Sequence, residues 1–173
     1  MIKVLATSLP GVLKIDRGAP FRDHRGTYET IYKKEEYRKN GIGVNFVEQD
    51  SSFSKIGVLR GLHGDEKTYK LVCCLFGSFY LVVVNYDNSS DFFGKWETFE
   101  VSAENGVQIL IPPKHLNGHL ILSNEGAIFH YNQSEYYSGA SNQWSVAWND
   151  PRFKIPWPIA SPTLSERDMG LKT

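Results

Sequence analysis

Residues 57–77 read GVLRGLHGDEKTYKLVCCLFG, and this stretch decides how the chain folds. Five residues separate Gly57 from His63, a polar cluster leads to Lys70, and six residues separate Lys70 from Gly77. Short apolar runs, many with a period of two, continue on both sides and indicate strands. We expect strands over residues 11–16, 26–32, 45–53, 70–76, 79–85, 96–101, 107–111, 119–122 and 127–132. Many short strands at regular spacing predict an all-β sandwich or barrel.

Two motifs narrow this class to a jelly roll. The spacing within residues 57–77 is that of the first cupin motif, and residues 106–121, GVQILIPPKHLNGHLI, follow the spacing of the second. Residues 34–40 are compatible with a short helix and residues 165–169 with a helical turn. We therefore predict one domain over residues 1–173, a cupin-type jelly roll (double-stranded β-helix) with short peripheral helices.

The ligand positions of these motifs hold residues that do not suit a metal. A metal-binding cupin has His, His and Glu in the first motif, where this chain has His63, Asp65 and Lys70, and Asn117 replaces the fourth ligand. A protonated lysine repels a divalent cation and offers it no lone pair. We expect no metal here, because a His, an Asp and a Lys suit proton transfer and enolate stabilisation better.

Two more histidines flank Asn117 in the second motif. We expect the side chains of His115 and His119 to point to the strand face opposite Asn117 and to lie at the surface or the rim. A metal site relocated to these histidines is the alternative interpretation.

Charge and composition exclude several classes of function. The chain has 19 Lys and Arg and 19 Asp and Glu residues, so its formal net charge is zero and we expect no binding to nucleic acid. We find no apolar run typical of a signal peptide or a membrane span, and we expect no membrane partner. The adjacent Cys73 and Cys74 would point to opposite faces of a strand, so we interpret them as reduced, structural thiols of a cytoplasmic protein.

Segments along almost the whole chain resemble, in order, the nucleotide-sugar 3,5-epimerases of the dTDP-4-keto-rhamnose type. The most specific are LRGLH at residues 59–63 and SERD at residues 165–168. Others are DHRGTYE at 23–29, FVEQDSSFS at 46–54, HYNQSEYY at 130–137 and WNDP at 148–151. The resemblance implies a jelly-roll core, a homodimer, no metal or organic cofactor, and a nucleotide-sugar substrate. The implied reaction removes a proton beside the C4 ketone of an NDP-4-keto-sugar and returns it to the other face.

The resemblance also implies four catalytic residues: His63, Tyr131, Lys70 and Asp168. His63 resembles the base and Asp168 the carboxylate that fixes its tautomer, while Tyr131 resembles the acid on the opposite face of the sugar. Histidine suits the first role because its unperturbed pKa is near neutrality, and tyrosine suits the last because its pKa is about 10. A cation such as Lys70 stabilises the developing enolate oxygen.

Six residues are expected to bind the substrate: Arg25, Tyr28, Glu29, Glu48, Arg60 and Asn117. By resemblance, Arg60 lies beside the ketone and Arg25 binds the diphosphate. Tyr28 and Glu29 match residues that come from the neighbouring subunit in that family.

Several departures from the family pattern cluster around the expected sugar and phosphate. Gly64 and Asp65 replace an aromatic–Gln pair, Asn117 replaces a His, and FVEQD replaces FVQDN, which introduces Glu48 and Asp50. The departures resemble epimerases that act on GDP-4-keto-heptoses in bacterial capsule synthesis. We therefore expect C3 or C5 epimerisation, or both, of a GDP-4-keto-(6-deoxy)heptose.

Other functions remain open on the sequence. The nearest alternative is a dTDP-4-keto-6-deoxyglucose 3,5-epimerase of the rhamnose pathway. A sugar-nucleotide 3,4-ketoisomerase shares the scaffold but lacks LRGLH. A non-catalytic, carbohydrate-binding jelly roll would not need His63, Lys70 and Tyr131 together, and a metal-dependent cupin enzyme would lose activity in chelator.

Overall fold

The computed structural model describes residues 2–169, which form an almost entirely β structure. Its strands are β1 (Lys3–Ala6), β2 (Leu13–Asp16), β3 (Phe21–Asp23), β4 (Gly26–Tyr28), β5 (Glu48–Ser54), β6 (Leu59–Gly64), β7 (Lys70–Phe76), β8 (Ser78–Asn85), β9 (Trp96–Ser102), β10 (Val107–Ile111), β11 (His115–Ile121), β12 (Ala127–Gln133) and β13 (Trp144–Ser145). Its helices are α1 (Lys34–Lys39) and a 3₁₀-helix (Ala140–Asn142).

Two antiparallel sheets pack face to face. One has the strand order β1-β2-β10-β7-β12-β5 and the other the order β13-β6-β11-β8-β9. The short hairpin β3–β4 forms a third, separate sheet. The crossed strand order is that of a jelly roll, and it confirms the predicted all-β fold class.

Alternation along β8 shows how both faces of a central strand are buried. Leu81 and Val83 point into the core between the sheets, whereas Val82 and Val84 pack in a second cluster on the outer face. Phe153, from the segment after β13, belongs to that outer cluster. Because both faces are covered, the strand reads as a continuous apolar run instead of an alternating one.

Helix α1 was predicted over residues 34–40 and covers the outer face of the six-stranded sheet. Tyr37 is buried there with Leu71 and Leu110, and its hydroxyl donates a hydrogen bond to Gln108. Within residues 2–169, no helix is long and apolar enough to cross a membrane. The predicted structural role of Cys73 and Cys74 agrees with the fold, since both are buried, unpaired thiols.

The predicted strands 70–76 and 107–111 coincide with β7 and β10, but the sequence predicts no strand at β6. Glycines interrupt the apolar run of β6, which weakens the strand pattern. Tertiary contacts require those glycines: a Cβ on Gly64 would lie 2.1 Å from the carbonyl oxygen of His115. β11 is also longer than its predicted range of 119–122, because it begins at His115.

Candidate active site

A cavity of about 280 Å³ is lined by residues of both sheets. The six-stranded sheet contributes β5, β7 and β12 to its walls, and the five-stranded sheet contributes β6 and β11. Residues of the turn at 165–168 close one side. All four predicted catalytic residues line this cavity, as do Arg60 and Asn117.

On the β6 wall, His63 forms an ion-pair contact with a buried carboxylate. Its Nε2 lies 2.8 Å from Oδ1 of Asp168, which is 4% exposed. Burial raises the pKa of Asp168, but hydrogen bonds from His63 and Ser165 outweigh burial and hold the pKa below its usual value. Asp168 therefore stays anionic and holds a proton on the facing ring nitrogen. The second ring nitrogen is left to accept a proton from a ligand.

The turn around Asp168 fixes that carboxylate from the other side. Its Oδ2 accepts a hydrogen bond from the hydroxyl of Ser165 at 2.7 Å. The backbone N–H of Met169 donates to the carbonyl oxygen of Ser165 at 3.0 Å. The helical turn predicted over residues 165–169 is thus confirmed. Oδ1 also accepts the backbone N–H of Gly61 at 3.2 Å.

Gly61 allows β6 to approach β11 closely at this point. Its φ of 122° lies in a region that L side chains rarely adopt, and a Cβ there would lie 2.5 Å from the Cα of Gly118. The pairing of β11 with β6 also shifts register between Asn117 and His119. A larger residue in place of Gly61 would push apart the two strands that carry His63 and Asn117.

Lys70 is a buried ammonium in the cavity wall. It is 8% exposed, and its Nζ lies 3.4 Å from Oδ1 of Asn117 and 5.8 Å from the ring centroid of Tyr131. No carboxylate in residues 2–169 lies within ion-pair distance of it, and burial lowers its pKa. A buried, weakly partnered cation of this kind suits an anionic group that forms only during a reaction.

Tyr131 lies on the opposite sheet from His63 and faces a different carboxylate. In the β12–β5 pairing it is directly opposite Asp50. Burial raises the pKa of Tyr131, and the charge and hydrogen bond of Asp50 raise it further. Burial and the nearby Glu48 in turn raise the pKa of Asp50. This wall therefore keeps a proton on the phenol.

Glu48 supports this wall from behind and does not line the cavity. Its Oε1 accepts a hydrogen bond from Nε2 of Gln133 at 2.6 Å, and the same amide nitrogen donates to Oδ2 of Asp50 at 3.0 Å. The backbone N–H of Tyr137 also donates to Glu48, at 3.2 Å. A direct contact between Glu48 and a ligand is therefore not supported by its position.

The expected orientation of His119 is wrong. Residues two apart on a strand share a face, so His119 points to the same side as Asn117, and both line the cavity. His119 is 4% exposed, far from a surface position. His115 is also buried, but outside the cavity, where it contacts Asn85.

Besides Glu48, three predicted binding residues lie outside this cavity in the single chain. Arg25 is exposed on the β3–β4 hairpin and pairs with Asp23 at 2.7 Å. Tyr28 is 74% exposed on the same hairpin. The carboxylate of Glu29 lies 2.5 Å from the guanidinium of Arg17.

The cavity is also lined by residues that were not among the predicted ones, and Arg167 and Gln143 are two of them. Arg167 donates from Nη2 to Oε1 of Gln143 at 3.2 Å and from Nε to Oγ of Ser145 at 2.9 Å, and both Arg167 and Gln143 line the cavity. The SERD motif contains Arg167 and was a signal for it. Gln143 follows the 3₁₀-helix and has no sequence signal of its own.

Fold and site together define a jelly-roll protein whose cupin ligand positions carry acid–base groups. Among residues 2–169, no three His, Cys, Asp or Glu side chains are grouped so that they could hold a metal ion. The cavity instead places a His–carboxylate pair on one side and, on the facing sheet, a tyrosine with a buried lysine 5.8 Å from its ring.

Comparisons with known proteins agree with this class. The sequence model of the family described as dTDP-4-dehydrorhamnose 3,5-epimerase matches residues 6–173. The dTDP-4-dehydrorhamnose 3,5-epimerase of Salmonella typhimurium is 38% identical over 97% of this chain and 93% of its own.

Two solved structures are similar throughout. The Bacillus anthracis dTDP-4-dehydrorhamnose 3,5-epimerase, with TDP and PPi bound, superposes with a TM-score of 0.90 at 32% identity and covers 98% of this chain and 97% of its own. The Legionella pneumophila dTDP-6-deoxy-D-glucose-3,5-epimerase, in complex with dTDP-4-keto-L-rhamnose, has a TM-score of 0.90 at 30% identity and covers 98% and 91%. This chain belongs to the dTDP-4-dehydrorhamnose 3,5-epimerase family and is an isomerase of the epimerase type.

Proposed function

We propose that this chain inverts C3, C5 or both carbons of a dTDP-linked 4-keto-6-deoxyhexose by acid–base catalysis. The observation that carries the proposal is the position of His63 and Tyr131 on opposite sheets of one cavity, with Lys70 between a polar amide and the tyrosine ring. Epimerisation needs a proton removed from one face of the sugar and returned to the other, and this arrangement supplies one group for each face.

The chemistry is divided among four side chains. His63 takes the proton from the carbon beside the ketone, and the C–H bonding pair becomes the C=C bond of an enolate. Lys70 stabilises the negative charge on the former ketone oxygen, and Asp168 stabilises the imidazolium. Tyr131 then gives its proton to the same carbon from the other face. Proton exchange with water resets the protonated His63 and the ionised Tyr131.

The relatives favour the dTDP substrate over the GDP-4-keto-heptose expected from the sequence departures. The Salmonella protein and the two solved structures all carry dTDP in their names. Asn117 and Asp50, two of the departures, line the cavity. A heptose substrate and a role in capsule synthesis have no support beyond the sequence resemblance.

A second copy of the chain would complete the nucleotide end of the site. Arg25 and Tyr28 project from the β3–β4 hairpin, where the Arg25 side chain is 77% exposed, and Phe21 beside them is 63% exposed. An exposed cation next to aromatic rings suits a nucleoside diphosphate. We therefore propose a homodimer in which each hairpin reaches the partner's cavity.

Three further proposals concern the setting of the reaction. Lys70 and Asn117 occupy metal-ligand positions of the cupin motifs, so the reaction is proposed to need no metal or organic cofactor. The continuous sheets favour one domain over residues 1–173. The free thiols of Cys73 and Cys74 favour a cytoplasmic location.

Solvent deuterium incorporation tests the proposal. Chelator-treated protein is incubated in D2O with dTDP-4-keto-6-deoxyglucose and, separately, with a GDP-4-keto-heptose, and NMR reports label at C3 and C5. We expect faster labelling of the dTDP sugar. Faster labelling of the GDP sugar would overturn the substrate assignment. No label with either would contradict the proposal and favour a carbohydrate-binding jelly roll.

A further inference from the structure

His119 is a buried imidazole in the cavity wall that has an unused hydrogen-bonding atom. Its ring stacks on Phe129 with centroids 4.0 Å apart and an interplanar angle of 6°, and Phe79 packs nearby at 5.5 Å. Its Nε2 is shielded from solvent and has no hydrogen-bond partner among residues 2–169. Aromatic contacts therefore hold the ring in place, while Nε2 lacks the hydrogen bond that a buried ring nitrogen usually makes.

His115, the other buried histidine of β11, has hydrogen-bond partners for its ring nitrogens. Nδ1 of His115 lies 3.0 Å from the carbonyl oxygen of Pro113, and its Nε2 lies 3.3 Å from Nδ2 of Asn85. Both ring nitrogens of His115 are thus within hydrogen-bond distance of protein atoms. In contrast, Nε2 of His119, four residues further along the same strand and in the cavity, has no such partner between residues 2 and 169.

His119 is neutral over the whole working range of an enzyme. Burial lowers its pKa to about 3, and the positive charges of Arg60 and His63 act in the same direction. A neutral imidazole provides one N–H donor and one acceptor. It is a poor candidate for a base or an oxyanion-binding cation, and His63 and Lys70 already hold those positions.

A buried polar atom without a partner destabilises a fold unless a ligand completes it. We propose that His119 is a specificity-determining residue that hydrogen-bonds a hydroxyl group of the bound sugar and so distinguishes 4-keto-sugars by their hydroxylation. This inference rests on the proposed function, because it places a sugar in the cavity. It adds a contact to the sugar that the proton-transfer residues do not supply.

The test compares His119→Phe with His119→Gln. Phenylalanine keeps the stack on Phe129 and removes both ring nitrogens, whereas glutamine keeps a donor and an acceptor. We expect His119→Phe to raise KM by about 5- to 10-fold, the factor for one neutral hydrogen bond, with kcat within about twofold of wild type. Glutamine should restore part of that loss. Because phenylalanine removes an unsatisfied group, the unliganded variant should also melt at a higher temperature.

Substrate analogues locate the contact. Wild type and His119→Phe are compared on dTDP-4-keto-6-deoxyglucose, on analogues that each lack one ring hydroxyl, and on the analogue with an added C6 hydroxyl. One hydroxyl should lower KM in the wild type and have no effect in the variant. His115→Phe is the control, and it should lower the melting temperature, since it removes the imidazole that contacts Nδ2 of Asn85, while KM stays unchanged.

Two results would overturn the inference. One is an unchanged KM for every sugar in His119→Phe, and the other is a loss confined to kcat. Wild-type protein that incorporates no deuterium would instead count against the proposed function, so the two failures are distinguishable.

Discussion

On the β6 wall of the cavity, Asp168 accepts hydrogen bonds from His63, Gly61 and Ser165, and its pKa lies below the usual value. On the β12 wall, Asp50 faces Tyr131 and a second carboxylate, Glu48, and its pKa is raised. The pKa values of these two carboxyl groups are thus shifted in opposite directions, because hydrogen-bond donors outweigh burial at Asp168, whereas burial and the neighbouring Glu48 both raise the pKa of Asp50.

The contrast shows how one cavity accepts a proton on one side and holds one on the other. The buried Asp168 holds Nε2 of His63 at 2.8 Å, which fixes the ring and leaves its other nitrogen to accept a proton. The negative charge near Tyr131 opposes ionisation of the phenol, which keeps it protonated until a carbanion forms. Two further polar residues line the cavity: within residues 2–169, Lys70 has no carboxylate in ion-pair distance and Nε2 of His119 has no hydrogen-bond partner.

Removing the base should have the largest effect. His63→Asn keeps a polar side chain of similar size but lacks a group that titrates near neutrality. We expect deuterium incorporation and epimerisation to fall together by about 10²- to 10⁴-fold, the range for a general base. NMR in D2O measures both, and an unchanged melting temperature would show that the fold is intact. Exchange at the wild-type rate would mean that another group removes the proton.

Tyr131→Phe should separate removal of the proton by His63 from its return to the opposite face of the sugar. Without the phenol, proton return to the opposite face should fall by about 10²- to 10⁴-fold, whereas His63 still removes and replaces the proton on its own face. The substrate should therefore exchange hydrogen for deuterium with its configuration retained. The exposed Tyr136, replaced by Phe, is the matched control and should behave as wild type. Equal loss of exchange and inversion in Tyr131→Phe would contradict the assignment of separate acid and base.

Lys70→Met should lower activity and raise stability. Losing the cation that faces the enolate should reduce kcat by about 10²- to 10³-fold, as for one oxyanion donor. Removing a buried ammonium that lacks a carboxylate partner should raise Tm by about 2–4 °C for each kcal/mol gained. Kinetics and thermal unfolding measure the two effects. The exposed Lys67, replaced by Met, should change neither. A fall in Tm for Lys70→Met would show that the ammonium stabilises the fold.

Asp50→Asn should have the smallest effect, on the pH profile. The Asp50 carboxylate raises the pKa of Tyr131, so removing its charge lowers that pKa and ionises the phenol at lower pH. The alkaline limb of kcat/KM should therefore move to lower pH. Glu48→Gln should move it in the same direction but less, because Glu48 is a weaker influence on Tyr131. A limb that does not move would indicate that Tyr131 is not the titrating group.

Some parts of this site could be predicted from local sequence motifs. LRGLH and SERD identified His63 and Asp168, although 105 positions separate them in the chain. The strands β7 and β10 followed from apolar runs that end at glycine and proline. These features depend on neighbouring residues, which a sequence shows directly.

Other parts depended on contacts that no local pattern encodes. The sequence did not predict β6, because glycines such as Gly61 and Gly64 weaken a strand pattern. In the structure both positions need glycine, since a Cβ at either one would clash with the backbone of β11. The position of Glu48 behind Asp50 depends on Gln133, which comes from the opposing strand of the sheet.

By itself, the sequence determined the jelly-roll class, the family and the four residues proposed to transfer protons or stabilise charge. Only the tertiary structure decided the electrostatic state of the site: Asp168 is held anionic, the pKa of Asp50 is raised, and Nε2 of His119 is buried with no hydrogen-bond partner in the described part of the chain. The physical reason is that residue identity sets which groups can titrate or donate. Burial and the neighbours supplied by distant strands set whether they do.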